Sequence, residues 1–192
     1  MKHIYIMRHG QTLFNVQART QGWSDSPLTD KGKADAKLAA EFFASFPVRF
    51  DAYFCSTQER ASDTLELVFP EIKYKRLKGL KEMNYGLFEG HPQYLEVQDK
   101  RTFFAQFGGE TQAETAKRMM SALTEVLQTN EKLQNIFCVS HGAAMWSLLR
   151  AVTDNTIPDD LHNLENLDML HFTFDEAAGS FVFAERIHTL SN

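Results

Sequence analysis

The 192-residue sequence has no apolar run approaching the roughly 20 residues that span a bilayer, holds only two cysteines and five prolines, and carries no excess of basic residues. Each shortage excludes something. Without a long apolar stretch, no membrane-spanning helix is expected. Cys55 and Cys138 both fall in apolar stretches that read as strands, so buried reduced thiols are expected; a redox pair or a metal site would need a different spacing. The formal net charge of −5 leaves no basic footprint for nucleic acid, and the scattered lysines and arginines form no polybasic block for an anionic membrane. After Met1 and Lys2 the chain passes straight into a strand pattern with no apolar signal segment, so a cytoplasmic protein is expected.

What is present is an ordinary globular composition, 43% apolar and 23% charged. That is enough for one domain over 1–192 with a substantial core. Apolar runs alternate with helical patterns, without internal repeat or linker. Residues 2–7 read as a strand and 11–28 as a polar loop. Residues 30–46 place Ala34, Leu38, Ala39, Phe42, Phe43 and Phe46 at helical spacing behind a Thr29 or Asp30 cap, and Pro47 stops that helix. Residues 52–55 form a second strand, followed by a helix capped at Ser56 or Thr57 and running to about Phe69. A short strand near 72–76 precedes an irregular, glycine-punctuated stretch over 79–92. Residues 93–107 favour a helix. Thr111-Gln112-Ala113-Glu114 has the form of a capping box and opens a helix to about Leu127. Residues 136–139 read as a central strand, 143–152 as a helix, and 168–174 with 181–187 as a closing antiparallel hairpin. The alternation predicts a three-layer α/β/α sandwich around a mixed, mostly parallel sheet.

Two strands end in the same way, one in Arg8-His9-Gly10 and the other in Ser140-His141-Gly142. In open α/β sheets, sites form outside the carboxyl ends of strands, so two histidines placed there can meet across a crevice. A lone strand-end histidine reads better as a local cap; the repetition, each time with glycine next, favours chemistry. A histidine whose charge changes near neutral pH, an arginine whose planar fork suits phosphate and a glycine that admits a close-lying substrate meet at one point.

Arg60 lies in the first turn of the helix after strand 52–55, where the helix dipole disfavours a cation unless an anion shares the site. Its bland alternative is a solvated arginine paired with Glu59 or Asp63. Glu82 and Glu89 are carboxylates in a glycine-rich loop, a setting that holds catalytic acids as well as merely solvated ones.

In this order the residues resemble the histidine phosphatase superfamily, also called phosphoglycerate mutase-like, over essentially the whole chain. The resemblance rests on Arg8-His9-Gly10 with Thr12 and Asn15, and on Gly22, Asp25, Pro27-Leu28-Thr29 and Gly32. It continues through Ser56, Arg60-Ala61 and Thr64, then Glu82, Gly86 and Glu89-Gly90, and ends in Gly109-Glu110 and Ser140-His141-Gly142. Gln11 stands where the family often has an acidic residue, and Phe88 where it has tryptophan; neither removes a catalytic group.

The resemblance implies that His9 is the nucleophile and forms a phosphohistidine. It implies that Arg8, Arg60 and a protonated His141 surround His9 with positive charge, and that Glu82 is the general acid, then base. It further implies secondary phosphate or substrate contacts from Asn15, Gln21, Gly22 and Gly142. No metal and no cofactor are implied, and the partner is a small phosphorylated metabolite; nothing in the pattern sets an oligomeric state.

Three readings remain: a phosphatase, a cofactor-dependent phosphoglycerate mutase, and a non-catalytic phosphate binder. The full catalytic set disfavours the last. Residues 91–108 form a lid or specificity segment that is shorter and less basic than the one family mutases carry, which favours hydrolysis. Lys100-Arg101 is its sole basic pair. Tyr94, Phe103, Phe104 and Phe107 either pack this segment onto the body or line an apolar pocket. Sugar phosphates, phosphoglycerates, nucleotides and α-ribazole phosphate all stay open as substrates.

Overall fold

The computed structural model of the chain describes residues 1–95, 101–157, 161 and 163–190. Its strands are β1 (Lys2–Arg8), β2 (Ala52–Ser56), β3 (Tyr74–Leu77), β4 (Asn135–Ser140), β5 (Met169–Asp175) and β6 (Ser180–Ile187). Its α-helices are α1 (Leu13–Val16), α2 (Asp30–Ser45), α3 (Glu59–Val68), α4 (Gln112–Thr129) and α5 (Gly142–Val152). The strands form one six-stranded sheet in the order β3-β2-β4-β1-β5-β6. Strands β3, β2, β4 and β1 run parallel, and the β5–β6 hairpin completes the sheet antiparallel to β1. This is the mixed, mostly parallel sheet that the strand–helix alternation predicts.

Period-two alternation along β1 divides the core. Ile4 and Ile6 pack with Met119 and Leu123 of α4 and with Met145 and Leu148 of α5. Tyr5 and Met7 face the opposite way, onto Ala36, Ala39 and Phe43 of α2 and onto Ala61 and Leu65 of α3. A sheet covered on both faces in this way has strands that are apolar throughout, as Ile136–Val139 shows, with every residue fully buried. The two free thiols lie on opposite faces, Cys138 in the first cluster and Cys55 in the second, so they cannot pair. Burial pushes both thiols up, Cys55 to about 12. Among the described residues, no helix is long and apolar enough to cross a membrane.

The capping signals resolve unevenly. Thr29 caps α2 by accepting from Gly32 N at 3.0 Å, and Thr111 with Glu114 forms the capping box of α4. Helix α3 starts later than its sequence suggests. Its N-cap is Gln58, which makes no side-chain cap bond. The Asp25 carboxylate, arriving from a distant loop, accepts from Glu59 N at 2.6 Å instead. The short α1 sits inside the stretch expected to be loop.

The described residues of 93–107 do not form the expected helix. Gln93–Leu95 and Phe103–Phe107 are 3₁₀ turns, and residues 96–100, Lys100 among them, lie outside the described residues. The physical reason is tertiary: Phe103, Phe104 and Phe107 all ring Phe88, with centroids 5.1–5.5 Å apart where they touch. Gly108, at φ +77°, then ends the turn.

Candidate active site

Strands β1 and β4 run in register, with Arg8 beside Ser140, and β2 flanks β4 with Cys55 beside Val139. The segments leaving these three strands therefore emerge at one edge of the sheet: His9-Gly10, His141-Gly142 and the stretch leading to Arg60. The His9 and His141 ring centroids are 5.2 Å apart.

His9 is 3% exposed. Its Nδ1 stands 2.7 Å from the Gly10 carbonyl oxygen. A carbonyl only accepts, so Nδ1 carries the proton and Nε2 the lone pair. Arg60 Nε donates to that Nε2 at 3.2 Å, in keeping with the same tautomer. Burial first, then the Arg60 and Arg8 charges, push His9 well below the usual 6.5, so the imidazole is neutral.

Arg60 is fully buried. Its guanidinium donates to the carbonyls of Ser24 and Gly22, both at 3.0 Å, and pairs with Asp25 at 2.8 Å. Neither Glu59 nor Asp63 is its partner; Asp25 both caps α3 and holds its arginine. Arg8 Nη1 donates to Leu164 O at 2.5 Å, while its Nε has no protein partner among the described residues.

His141 is fully buried, with both ring nitrogens unpartnered among the described residues. Burial, followed by the Arg60 charge and by His9, pushes it well below 6.5. The expected protonated His141 is thus reversed: burial and the neighbouring guanidiniums disfavour a third cation. Arg8 and Arg60 supply the positive charge.

Glu82 is 5% exposed and caps α5 from outside the helix. Oε1 accepts from Met83 N at 2.8 Å and Ala144 N at 2.7 Å, and Oε2 from Ala143 N at 3.0 Å. His141, the N-cap residue, makes no side-chain cap bond, so this carboxylate satisfies amides that would otherwise be orphaned. Burial raises the Glu82 carboxyl above the usual 4.5, against the opposing pull of these amides and Arg60.

The loop carrying Glu82 is clamped from behind. Arg118 on α4 donates to the carbonyls of Gly79, Lys81 and Glu82 at 2.7–2.9 Å and pairs with Glu110 at 2.7 Å. Glu110 in turn accepts from Asn84 N at 2.8 Å. Gln58 accepts from Glu82 N at 2.8 Å and donates to Gly22 O at 2.5 Å. Glu89, the second carboxylate of the glycine-rich loop, accepts from the amides of Gly22, Trp23, Ser24 and Tyr85. It ties loops together rather than facing substrate.

Glycine is required where these loops cross. A Cβ on Gly22 would stand 2.4 Å from the Met83 carbonyl oxygen, and one on Gly86, at φ +57°, would meet the Phe107 carbonyl oxygen at 2.1 Å.

A cavity of about 780 Å³ opens on His9 and is lined by Arg8, His9, Asn15, Gln21, Glu82 and Gly142, and also by Tyr85, Gln93, Arg101, Trp146 and Arg150. Arg60, His141 and Gly22 are not in the lining; they stand behind it. Gly22 turns its amide to Glu89 and its carbonyl to Arg60 and Gln58. Asn15 Oδ1 accepts from Thr12 N at 3.0 Å, and Gln21 bonds Thr12 and Ser26 at 2.7 and 2.9 Å.

Segment 91–108 reaches this cavity through Gln93 and Arg101, not through its aromatic side chains. Phe104 is fully buried and Tyr94 is 84% exposed, and none of Tyr94, Phe103, Phe104 or Phe107 is in the lining. Trp146 is, although no sequence motif marks it. The clamping roles of Arg118 and Gln58 are equally unmarked, because clamps acting through backbone groups leave no local pattern; Glu110 belongs to the quoted pattern, but its pairing with Arg118 does not show there. Trp146 does have a signal: it follows Gly142 by four residues on one helix face.

A family model described as "Histidine phosphatase superfamily (branch 1)" matches residues 4–185. A 2,3-bisphosphoglycerate-dependent phosphoglycerate mutase 2 from Gloeobacter violaceus is 28% identical over 94% of this chain and 89% of its own length. The uncharacterized phosphatase PhoE of Bacillus subtilis is 30% identical over 80% of this chain and 78% of its own. In architecture the chain is similar to a phosphoserine phosphatase from Entamoeba histolytica solved with phosphoserine, with a TM-score of 0.81, 24% identity and 98% coverage of both chains. Joined to a neutral buried histidine between two arginines at the carboxyl edge of this sheet, the match over nearly the whole length has one reading. The chain belongs to the histidine phosphatase superfamily.

Proposed function

We infer that the chain is a metal-independent phosphatase that hydrolyses a small phosphomonoester in the cytoplasm through a phosphohistidine on His9. The observation that carries this reading is the set of His9 contacts: the Gly10 carbonyl holds Nδ1–H, and the Nε2 lone pair faces Arg60 Nε at 3.2 Å, a contact that phosphorus must displace.

In the first step Nε2 attacks phosphorus in line while the ester P–O bond breaks, and a protonated Glu82 gives its proton to the leaving oxygen. Arg8 and Arg60 offset the charge on the equatorial oxygens. In the second step a water oxygen attacks phosphorus, Glu82 takes the water proton, and the bond to Nε2 breaks. Glu82 Oε1 already accepts two amides and Oε2 only one, so Oε2 keeps an acceptor site for the exchanged proton. The burial that raises the Glu82 carboxyl favours the acid form needed first.

The mutase relative supports a second reading, transfer between 3- and 2-phosphoglycerate. One assay set separates them: p-nitrophenyl phosphate turnover in EDTA beside a His9→Ala control, and phosphoglycerate interconversion with and without 2,3-bisphosphoglycerate. Turnover in EDTA, an acid-labile phosphoprotein, and the loss of both in His9→Ala are expected. Efficient interconversion stimulated by the bisphosphate would install the mutase instead, and no turnover of any phosphomonoester would sink the phosphatase.

A further inference from the structure

The cavity is far larger than one phosphoryl group needs. At about 780 Å³ it falls in the range of roughly 300–1,000 Å³ typical of whole small-molecule sites, and Glu82 lies at the N-terminus of α5, on the amides of Ala143 and Ala144. Helix α5 builds much of the rest. Gly142, Ala143, Trp146 and Arg150 all line the cavity, and their spacing puts them on one stripe along the helix. With a rise of about 1.5 Å per residue, Trp146 stands about 6 Å and Arg150 about 12 Å along the axis from Gly142. The same helix thus starts beside the catalytic groups, offers an aromatic face one turn on, and ends in a cation.

Helix stability accounts for part of each distal side chain, since Trp146 packs on the core and Arg150 is a cation in the last turn, but it does not require either to face the cavity. The end of the helix is closed without the Arg150 side chain: Thr153 donates through both N and Oγ1 to Leu149 O at 2.9 Å, and Asn155 N donates to Arg150 O at 2.9 Å. The Arg150 guanidinium donates from Nε to Asn155 Oδ1 at 3.2 Å, a contact that orients the fork. Trp146 packs one side against the core cluster and gives another to the cavity. An indole with an arginine two turns beyond the phosphoryl site suits a substrate with a flat or ring-shaped body and a charged tail; guanidinium takes a terminal oxyanion in a bidentate manner.

We propose that Trp146 and Arg150 form a distal subsite for an elongated phosphomonoester, with its body against the indole and a terminal carboxylate or phosphate on the order of 10 Å from the reacting phosphorus. The proposal rests on the phosphatase reading of the His9 end.

The test uses the full chain and a ladder of straight-chain alkyl phosphates of increasing length. Each is made with a terminal carboxylate, a terminal phosphate or a neutral terminal amide, beside p-nitrophenyl phosphate. The charged-to-amide ratio of kcat/KM is expected to rise about tenfold or more only at lengths that reach Arg150, and the carboxylate and phosphate arms identify the terminal anion. Arg150→Gln is expected to collapse that ratio, and Trp146→Leu to lower the ratio of long substrate to p-nitrophenyl phosphate about fivefold. Ratios taken within one preparation are unaffected by any misfolded fraction. A ratio flat with length, one highest for the shortest esters, or one unmoved by Arg150→Gln would overturn the proposal while p-nitrophenyl phosphate turnover left the phosphatase standing. No turnover of any ester would remove the phosphatase reading and the subsite with it.

Discussion

The two ends of the cavity are built on different plans. At the phosphoryl end, backbone from other segments holds the charged groups: Arg60 by the carbonyls of Gly22 and Ser24 beside the Asp25 carboxylate, and Glu82 by the amides of Ala143 and Ala144, with its neighbour Met83 adding a local one. The loop beneath Glu82 is gripped by Arg118. At the distal end, Trp146 and Arg150 enter from successive turns of α5, and the segment before α4, with 3₁₀ turns at residues 93–95 and 103–107, adds Gln93 and Arg101 to the cavity lining. Charge develops only at the first end during reaction, and donors fixed in advance there need no reorganisation. The distal end contributes side chains, which can change without moving the catalytic frame.

The largest break in that contrast should come from Glu82→Gln. Loss of the acid is expected to cut kcat/KM for alkyl phosphates by about 10²–10⁴. p-Nitrophenyl phosphate, whose leaving group needs no proton, should instead give a burst of p-nitrophenolate as phosphoenzyme accumulates. The pH profile sharpens the assignment. His9 must be neutral, and its lowered pKa keeps it so below 6.5, so the acid limb lies below 6.5. Glu82 must be protonated, and burial extends that form above its ordinary 4.5, so the alkaline limb lies above 4.5. Glu82→Gln should erase the alkaline limb and keep the acid one; persistence of both would remove Glu82 from the acid role.

A smaller effect is expected from the clamp. Among the described residues, Arg118 reaches the cavity lining only through the Glu82 backbone, which makes it a positioning residue. Arg118→Met should lower kcat by about 10–100-fold with KM nearly constant, as a small displacement of a reacting group does, and should shift the alkaline limb. Arg118→Lys should restore part of kcat. Equal losses in kcat and in folded fraction by urea denaturation, with the limb unmoved, would reduce the clamp to a stabilising contact.

The smallest effect on catalysis is expected farthest from the site. Lys2 is fully buried, donates to Leu127 O at 2.5 Å and Asn130 O at 3.3 Å at the end of α4, and pairs with Glu176 at 2.9 Å. Lys2→Met leaves those acceptors unmet and should cost about 1–3 kcal/mol, read as a fall in Tm, with kcat/KM unchanged. A change in kcat/KM would mean that α4 transmits strain to Arg118.

The sequence made most of the phosphoryl end legible because its residues sit at strand ends and helix starts, where local pattern and chemistry coincide. His9 and His141 follow apolar runs, and Arg60 opens a helix. The protonation of His141 was not legible, since it depends on burial between arginines distant in sequence. Nor was the role of Glu89, whose four amide donors come from residues 22–24 and from Tyr85. Over the described residues of 93–107 the helical expectation failed because the aromatic side chains of 103–107 serve contact with Phe88 rather than a helix face.

Sequence by itself determined the alternating elements, the apolar strands of a sheet covered on both sides, and the catalytic residue types delivered to one edge. Those follow from periodicity and from residues adjacent in the chain. Tertiary structure alone decided that Asp25 rather than Glu59 or Asp63 holds Arg60, that Glu82 caps α5, and that Trp146 and Arg150 rather than the 91–108 phenylalanines line the cavity. Each of these is a contact between segments far apart in sequence, made by packing the helices onto the sheet, and no local pattern records such a meeting.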